Sequence, residues 1–251
     1  MAESNRTLLR GLNMLELLSE HPDGLELHEI AAALELPKSS AHNLVQTLLN
    51  AKYVRLTPAS RYQLTLKCFE VGSATVQAMD ASQILRQYMH KAFAECNETM
   101  HCGVLSGERV LYIDKIESTR SIRMASHVGI TMPLHATAMG KAFLAAMDDD
   151  QARRLIGTSP LERLTEHTVT DPEALIRQLR EIRRRGWAAE NEENAESVCC
   201  LGVAICNRDG HPVYALSVSV PAFRMTDELA AQYGPLLMKA KRKIERVLHS
   251  L

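Results

Sequence analysis

A chain of 251 residues, 46% of them hydrophobic, has length enough for two domains and for a sizeable core. Its 29 Lys and Arg against 30 Asp and Glu leave a formal net charge of −1, so the average composition does not point to nucleic acid. The six cysteines (Cys68, Cys96, Cys102, Cys199, Cys200 and Cys206) form no CxxC pair, the chain opens on a polar, charged stretch, and no run of 18 apolar residues occurs. A disulfide scaffold and a helical membrane protein are excluded, and a reduced, soluble, cytoplasmic protein is expected.

A first helix is predicted from about Thr7 to Glu20, with Leu8, Leu12, Leu15 and Leu18 forming its apolar stripe. His21-Pro22-Asp23-Gly24 stops it. A short helix in LELHEIAAALEL follows, expected to bury Ile30, Ala33 and Leu34. Next comes PKSSAHNLVQTLLN, residues 37–50, where Ala41, Leu44, Val45, Leu48 and Leu49 recur at helical spacing. Its opposite face carries Lys38, Ser39, Ser40, His42, Asn43, Gln46, Thr47 and Asn50, with no carboxylate. A face of amides, hydroxyls and bases can bond base edges, and a helix fits the major groove. An ordinary amphipathic surface helix is the alternative at this point.

The local charge decides between the two. Residues 36–67 hold Lys38, Lys52, Arg55, Arg61 and Lys67 and no acid, whereas residues 1–35 hold two arginines against seven acids. These opposed runs cancel in the average and hide a basic patch of the kind phosphates require. Tyr53–Leu56 and Tyr62–Leu66 alternate around Thr57-Pro58-Ala59-Ser60, which reads as a hairpin with basic residues near its tip. Three helices and a basic hairpin make a winged helix-turn-helix. Ser39, Ser40, Asn43, Gln46 and Thr47 are then expected at base edges, with Lys38, Arg55 and Arg61 on phosphates and Arg10 as a further phosphate contact. Its partner would be double-stranded operator DNA.

Helix is predicted from Lys67 to about Asn97 in two parts, the first carrying Phe69, Val71, Val76 and Met79. The expected organisation is a DNA-binding domain over 1–67, a linker helix over 68–80 and a second domain over 81–251. In the second domain MHCGVLSGERVLYIDKIE reads as a hairpin, and SIRMASHVGITMPL as another extended pair around Gly129. ATAMGKAFLAAM is a small-residue helix, Asp148 to Ile156 another, and Glu173 to Arg185 a longer one ended by Gly186. VCCLGVAICN and PVYALSVSV are strands, and a helix from about Asp227 to Leu251 closes the chain. The class is α+β on an antiparallel sheet.

Enzyme motifs fail one by one. HATAMGK lacks the first glycine of a phosphate loop, and neither HExxH nor GxSxG occurs. Asp148-Asp149-Asp150 suits a helix N-terminus, and ENEEN lacks calcium-loop spacing and reads as a solvated connection with Glu190 turned inward. The chain is therefore expected not to be an enzyme and to need no cofactor.

The stretches LLRGLNMLELLSEHPDGL, LPKSSAHNLVQTLLNAKYV, RYQLTLKCFEVG, MPLHATAMGKAFLA, RRRGWAAENEENAESVCCLGVAI and YALSVSVP, in that order, resemble the IclR family of transcriptional regulators over essentially the whole chain. The resemblance implies an N-terminal winged helix, a linker helix, and a C-terminal effector domain of GAF/PAS type. It also implies homodimers that pair into homotetramers, repression of a catabolic operon, and an effector that is a small organic, sugar or aromatic acid. Where the family commonly has Thr-Val-His-Arg, this chain has Ser40-Ala41-His42-Asn43. Asn43 shifts the expected base preference from guanine toward adenine.

Carried over by position, the resemblance implies an effector site lined by Ser121, Met124, Met132, Ala138, Met139, Glu190, Val198, Cys200, Ser217 and Ser219. Ser217 and Ser219 share a strand face, the methionines give adaptable walls, and backbone N–H groups at Ala138, Met139 and Gly140 suit a carboxylate. A metal held by His101, Cys102, His135 and Cys200 has no spacing motif to support it, and no metal is expected. The rival readings are a cysteine-based redox or metal sensor and a GAF-like thiol reductase using Cys96, Cys102 and Cys200.

Overall fold

Asn5 opens helix α1 (Arg6–Ser19), its side-chain oxygen accepting from the N–H groups of Thr7 and Leu8. The computed structural model describes residues 5–77, 81–122 and 124–249, and the chain divides into two units, residues 1–79 and 80–251. In the first unit α2 (Leu27–Ala33) begins on a capping box between Glu26 and Glu29, and α3 (Lys38–Asn50) starts directly after Pro37. Strands β1 (Val54–Leu56) and β2 (Tyr62–Leu64) pair antiparallel, Arg55 opposite Gln63. Leu25 bridges Tyr62, which stitches this hairpin to the turn before α2.

The core of this unit is Met14, Leu18, Ile30, Val45, Val54 and Tyr62. Two inward faces differ from expectation. On α1, Met14 and Leu18 are buried while Leu8 and Leu12 stay 62% and 49% exposed. On α2, Ala31 is buried and Ala33 is exposed. A periodic stripe marks a helix, but the neighbouring helices choose which edge of the stripe is covered. Helix α4 (Leu66–Gln77) follows. The linker expected over 68–80 runs into residues 78–80, which lie outside the described residues.

The second unit opens with α5 (Ser82–Cys96), then β3 (Thr99–Ser106), β4 (Arg109–Ile116) and β5 (Thr131–Pro133). Helices α6 (Ala138–Ala145), α7 (Asp149–Ile156) and α8 (Pro172–Arg185) come next. Strands β6 (Ala188–Asn191), β7 (Val198–Cys206) and β8 (Pro212–Pro221) lead to α9 (Asp227–Leu248). The closing helix was expected to reach Leu251, and residues 250 and 251 lie outside the described residues. The strands form one antiparallel sheet in the order β5-β4-β3-β8-β7-β6.

Alternation sorts the sheet into two faces. Met100, Cys102, Leu201, Val203, Leu216 and Val218 point to a core shared with α5 and α9, including Met89, Tyr233 and Leu237. On the other face Val110, Ala204 and Ala215 pack with Met139 and Phe143 of α6 and Leu175 and Leu179 of α8. Helix α6 lies hard against the chain beneath it. A Cβ on Gly202 of β7 would sit 2.7 Å from the Ala138 carbonyl, so the strand admits only glycine at that closeness.

Two segments correct the sequence reading. The extended pair expected around Gly129 reduces to β5 alone. The Lys115 ammonium donates to the carbonyls of Met124 and Ser126 (3.1 and 2.8 Å), so these acceptors are used by a side chain and not by a ladder. Conversely β6 takes in Glu190 and Asn191, the first two residues of the segment read as a solvated connection, with Glu190 buried opposite Cys200.

Candidate functional site

The carboxylate-free face of α3 is presented outward. Lys38, Ser39, Asn43, Gln46 and Thr47 are exposed and Ser40 is half-buried, while Ala41 and Val45 are fully buried beneath them. Asn43 stands one turn from both Ser39 and Thr47, whose hydroxyl donates to the Asn43 carbonyl at 2.9 Å. On the hairpin Arg55 is exposed, its guanidinium donating to Gln63 Oε1 (3.3 and 3.0 Å), and the Gln63 amide donates to the Pro22 carbonyl (3.0 Å). Arg10 is also exposed, on α1.

Arg61, expected at a phosphate, is instead engaged inside the unit. Its Nε donates to the Gly24 carbonyl (2.9 Å) and its guanidinium to Glu29 Oε2 (3.1 Å), with Glu26 at 4.0 Å. Arg61 fastens the hairpin to the start of α2. Glu29 in turn is held below its usual carboxylate range, first by the Glu26 backbone N–H and then by Arg61. Both side chains are about a third exposed, so solvent screening keeps the effect modest. Arg61→Ala is expected to destabilise the first unit by about 1 kcal/mol in urea unfolding followed by circular dichroism, the range for a hydrogen bond with partial ionic character.

In the second unit a cavity of about 160 Å³ lies on the α6 side of the sheet. Its floor is His101 of β3, Tyr112 of β4, Glu190 of β6, Cys200 of β7, and Ser217 and Ser219 of β8. One wall is Thr137, Ala138 and Met139 at the start of α6. The others are Met124, Ala125, Ser126, Ile130 and Met132, and Asn194, Ala195 and Val198. Nine of the ten positions expected at the effector site are here: Met124, Met132, Ala138, Met139, Glu190, Val198, Cys200, Ser217 and Ser219. Ser121 is not. It is exposed and does not line the cavity, whose wall on this side is formed by residues 124–126.

Hydrogen bonds fix much of this lining. His101 shares one hydrogen bond with the Ser126 hydroxyl (2.7 Å) and a longer one with Ser219 (3.5 Å), and its ring lies 4.8 Å from that of Tyr112. Burial and then the Lys115 charge pull His101 down to about 3, so it is a neutral imidazole at ordinary pH. Burial also raises Tyr112, which keeps its phenol protonated. The Cys200 thiol donates to Ser219 (3.2 Å), and burial with Glu190 nearby pushes it well up. Glu190, 3% exposed, accepts from the Glu193 N–H (3.0 Å) and is raised to about 7, mainly by burial.

Thr137 caps α6, taking the Gly140 N–H (3.1 Å) and leaving the preceding N–H groups of Ala138 and Met139 ahead of the first intrahelical bond. Behind the wall, buried Lys141 donates to Gln178 (2.9 Å) and to Glu193 (2.5 Å). The Glu193 carbonyl accepts from Thr168 (2.7 Å), so the turn after β6 is held from three sides.

The remaining expectations fare differently. His101 faces the cavity, whereas Cys102, its neighbour in β3, faces the opposite core, and His135 bonds the Glu162 carbonyl (2.9 Å). Among the described residues no group of three His, Cys, Asp or Glu is placed to hold a metal. All six cysteines are free, and burial raises Cys96, Cys102 and Cys200, the reverse of an activated thiol. No helix among the described residues is long and apolar enough to cross a membrane. The sequence reading missed His101, Tyr112, Ser126 and Asn194 as cavity residues. Alternation along β3 and β4 held the signal for the first two.

Comparison with known proteins places this geometry. The profile of the bacterial transcriptional regulator IclR C-terminal domain matches residues 73–246, and that of the IclR helix-turn-helix domain matches residues 7–58. The HTH-type transcriptional regulator KdgR of Escherichia coli (strain K12) is 32% identical over 243 residues, covering 96% of this chain and 92% of that one. The transcriptional repressor IclR of the same strain is 30% identical, covering 95% and 88%. An IclR homolog from Microbacterium hydrocarbonoxydans, crystallised with 4-hydroxybenzoate, shares the fold with a TM-score of 0.85 at 23% identity, covering 98% and 100%. With both profiles matched in order and a fold of winged helix followed by a six-stranded α+β domain, the chain belongs to the IclR family of DNA-binding bacterial transcriptional regulators.

Proposed function

We propose that this regulator is a ligand-responsive repressor whose effector is a small organic, sugar or aromatic acid bound in the cavity of the second unit. The observation that carries the reading is the cavity itself. Apolar methionines line it, Ser217 and Ser219 share its floor, and Ala138 and Met139 at the positive end of α6 form one wall. Such a lining suits a compact acid bearing hydroxyl or keto groups, its carboxylate at the amides. The IclR relative of E. coli is named a repressor, and the Microbacterium homolog was crystallised with an aromatic acid. Both support the assignment.

On DNA, Ser39, Ser40, Asn43, Gln46 and Thr47 would meet base edges, and Lys38 and Arg55 would hold phosphates, working as a homodimer or homotetramer on paired half-sites. The test is thermal unfolding against a panel of keto, sugar and aromatic acids, followed by operator titration with any acid that raises the midpoint. One class should raise it and shift operator affinity, and Ser217→Ala should weaken that response. A panel without effect on either readout removes the acid effector from the proposal.

The DNA contacts make a second expectation. Asn43→Ala should relax base preference at a cost of about 1–3 kcal/mol, whereas Arg55→Ala should weaken all sequences alike and lower the salt slope by about 1. Fluorescence anisotropy on matched and mismatched duplexes at several salt concentrations separates the two patterns. Equal losses on every duplex for Asn43→Ala would move the reading helix off this face.

A further inference from the structure

We propose that an acid enters this cavity as its anion together with one proton, which the Glu190 carboxyl takes up. The inference rests on the reading of the cavity as an acid site and specifies the charge state it accepts.

Three observations converge on Glu190. Its side chain is 3% exposed and lines a cavity of only about 160 Å³, so any anion held there lies within a few ångströms of the carboxyl. The side chains facing it across the cavity are neutral, and neutral donors are its nearest support. On β7 the facing Cys200 is a protonated thiol, on β4 Tyr112 is a protonated phenol, and on β3 His101 is neutral. From the turn after β6, Glu193 contributes its backbone N–H but also a second carboxyl, and the Lys141 ammonium behind it is spent on Glu193 and Gln178. Burial and the Glu193 charge already raise Glu190 to about 7, with Cys200, the Glu193 N–H and Lys141 opposing.

A second negative charge in the same enclosed space pushes that carboxyl further toward its protonated form, because two like charges close together in a low-dielectric site do not both ionise. By linkage, a proton bound more tightly in the complex than in the free protein makes affinity fall as pH rises. The sign is fixed. Above pH 7 the free protein has lost the proton that the complex needs, so an anion must recruit it from solvent. Once protonated, Glu190 also becomes a donor, and it can bond a hydroxyl or keto oxygen of the same ligand. Below pH 7 the carboxyl is already protonated and affinity is flat.

The test uses the full chain and three acids that are ionised throughout the range: pyruvate, D-gluconate and benzoate. Isothermal titration from pH 6 to pH 8.5 should show the dissociation constant of whichever binds rising less than about twofold between pH 6 and 7. It should then rise roughly six- to eightfold between pH 7.5 and 8.5, the linkage expected for one site near 7 that shifts up by two units or more on binding. Near pH 8, repeating the titration in buffers of unequal ionisation enthalpy should give close to one proton absorbed per ligand. Glu190→Gln, which keeps the acceptor for Glu193, should bind the same acid with a flat profile and no proton uptake. Binding that is independent of pH in the unaltered chain overturns the coupling while leaving the acid reading of the cavity intact. No binding of any of the three at pH 6 overturns both together.

Discussion

Gly140→Ala is expected to destabilise the second unit by at least about 3 kcal/mol, even though alanine is the better helix former by roughly 1 kcal/mol. The reason is space. A Cβ at Gly140 would lie 2.3 Å from the Leu134 carbonyl oxygen and 2.4 Å from the Leu134 Cα, backbone atoms that cannot turn aside as a side chain would. The strand–turn–helix connection from β5 to α6 would have to open, and with it the Thr137 cap and the cavity wall at Ala138 and Met139. Trp187, the single tryptophan, is in the second unit, so its fluorescence in a urea titration follows this unit. The same substitution at Gly11 of α1 has nothing within 4 Å and should be neutral or stabilising by up to about 1 kcal/mol, read by circular dichroism. An unchanged midpoint for Gly140→Ala would show that α6 seats with slack the structure does not display.

Lys141→Met should cost about 3–5 kcal/mol, through the charge it strands and not through any packing it loses. Lys141 is 1% exposed, and its ammonium is the partner of Glu193, itself 7% exposed. Burial lowers Lys141 while Glu193 raises it, and the direction on balance is down. Methionine fills nearly the same volume, so the loss reports the uncompensated Glu193 carboxylate. One of its oxygens, Oε2, has no hydrogen-bond partner even in the intact pair. Adding Glu193→Gln to Lys141→Met should therefore recover much of the stability, and the double-mutant cycle measures the coupling directly. If the double variant is no better than the single, the pair's value lies in packing. The same single variant should weaken effector binding, since Glu193 positions Glu190 through its N–H.

The parts of the fold legible in the sequence are those specified by their own local pattern. The apolar row of α3, the β3–β4 hairpin around Gly107, and the Gly186 stop of α8 each depend on residues within one turn or one strand of themselves. What escaped depends on distant partners. Strand β6 reads Ala-Ala-Glu-Asn and carries almost no strand signal, so its pairing is imposed by β7. Arg61 counted toward a basic patch because a charge count cannot see Glu29, 32 residues earlier in the chain, closing on it. Ser121 was placed by analogy of position, which does not specify the path of an irregular segment, and it lies outside the cavity lining. His101 and Tyr112 were within reach of strand parity, since they share a face with Ser217 and Glu190, but parity alone does not say which face holds the cavity.

That parity has a consequence for how such a regulator changes its signal. In β8 the run Leu216-Ser217-Val218-Ser219-Val220 alternates residues that hold the domain together with residues that line the cavity, and β3 and β7 do the same. The two jobs are interleaved along the chain yet separated by the thickness of one backbone. Substitutions at positions 101, 200, 217 and 219 can change the chemistry of the cavity lining while the residues between them go on anchoring α5 and α9. Deleting one residue from any of these strands exchanges the jobs wholesale, driving serines into the anchor and valines toward the cavity. A lineage built on this sheet is free to vary its cavity lining by point mutation, but it cannot tolerate a change in strand length, and libraries that remodel the cavity should randomise identities at those four sites while leaving the spacing alone.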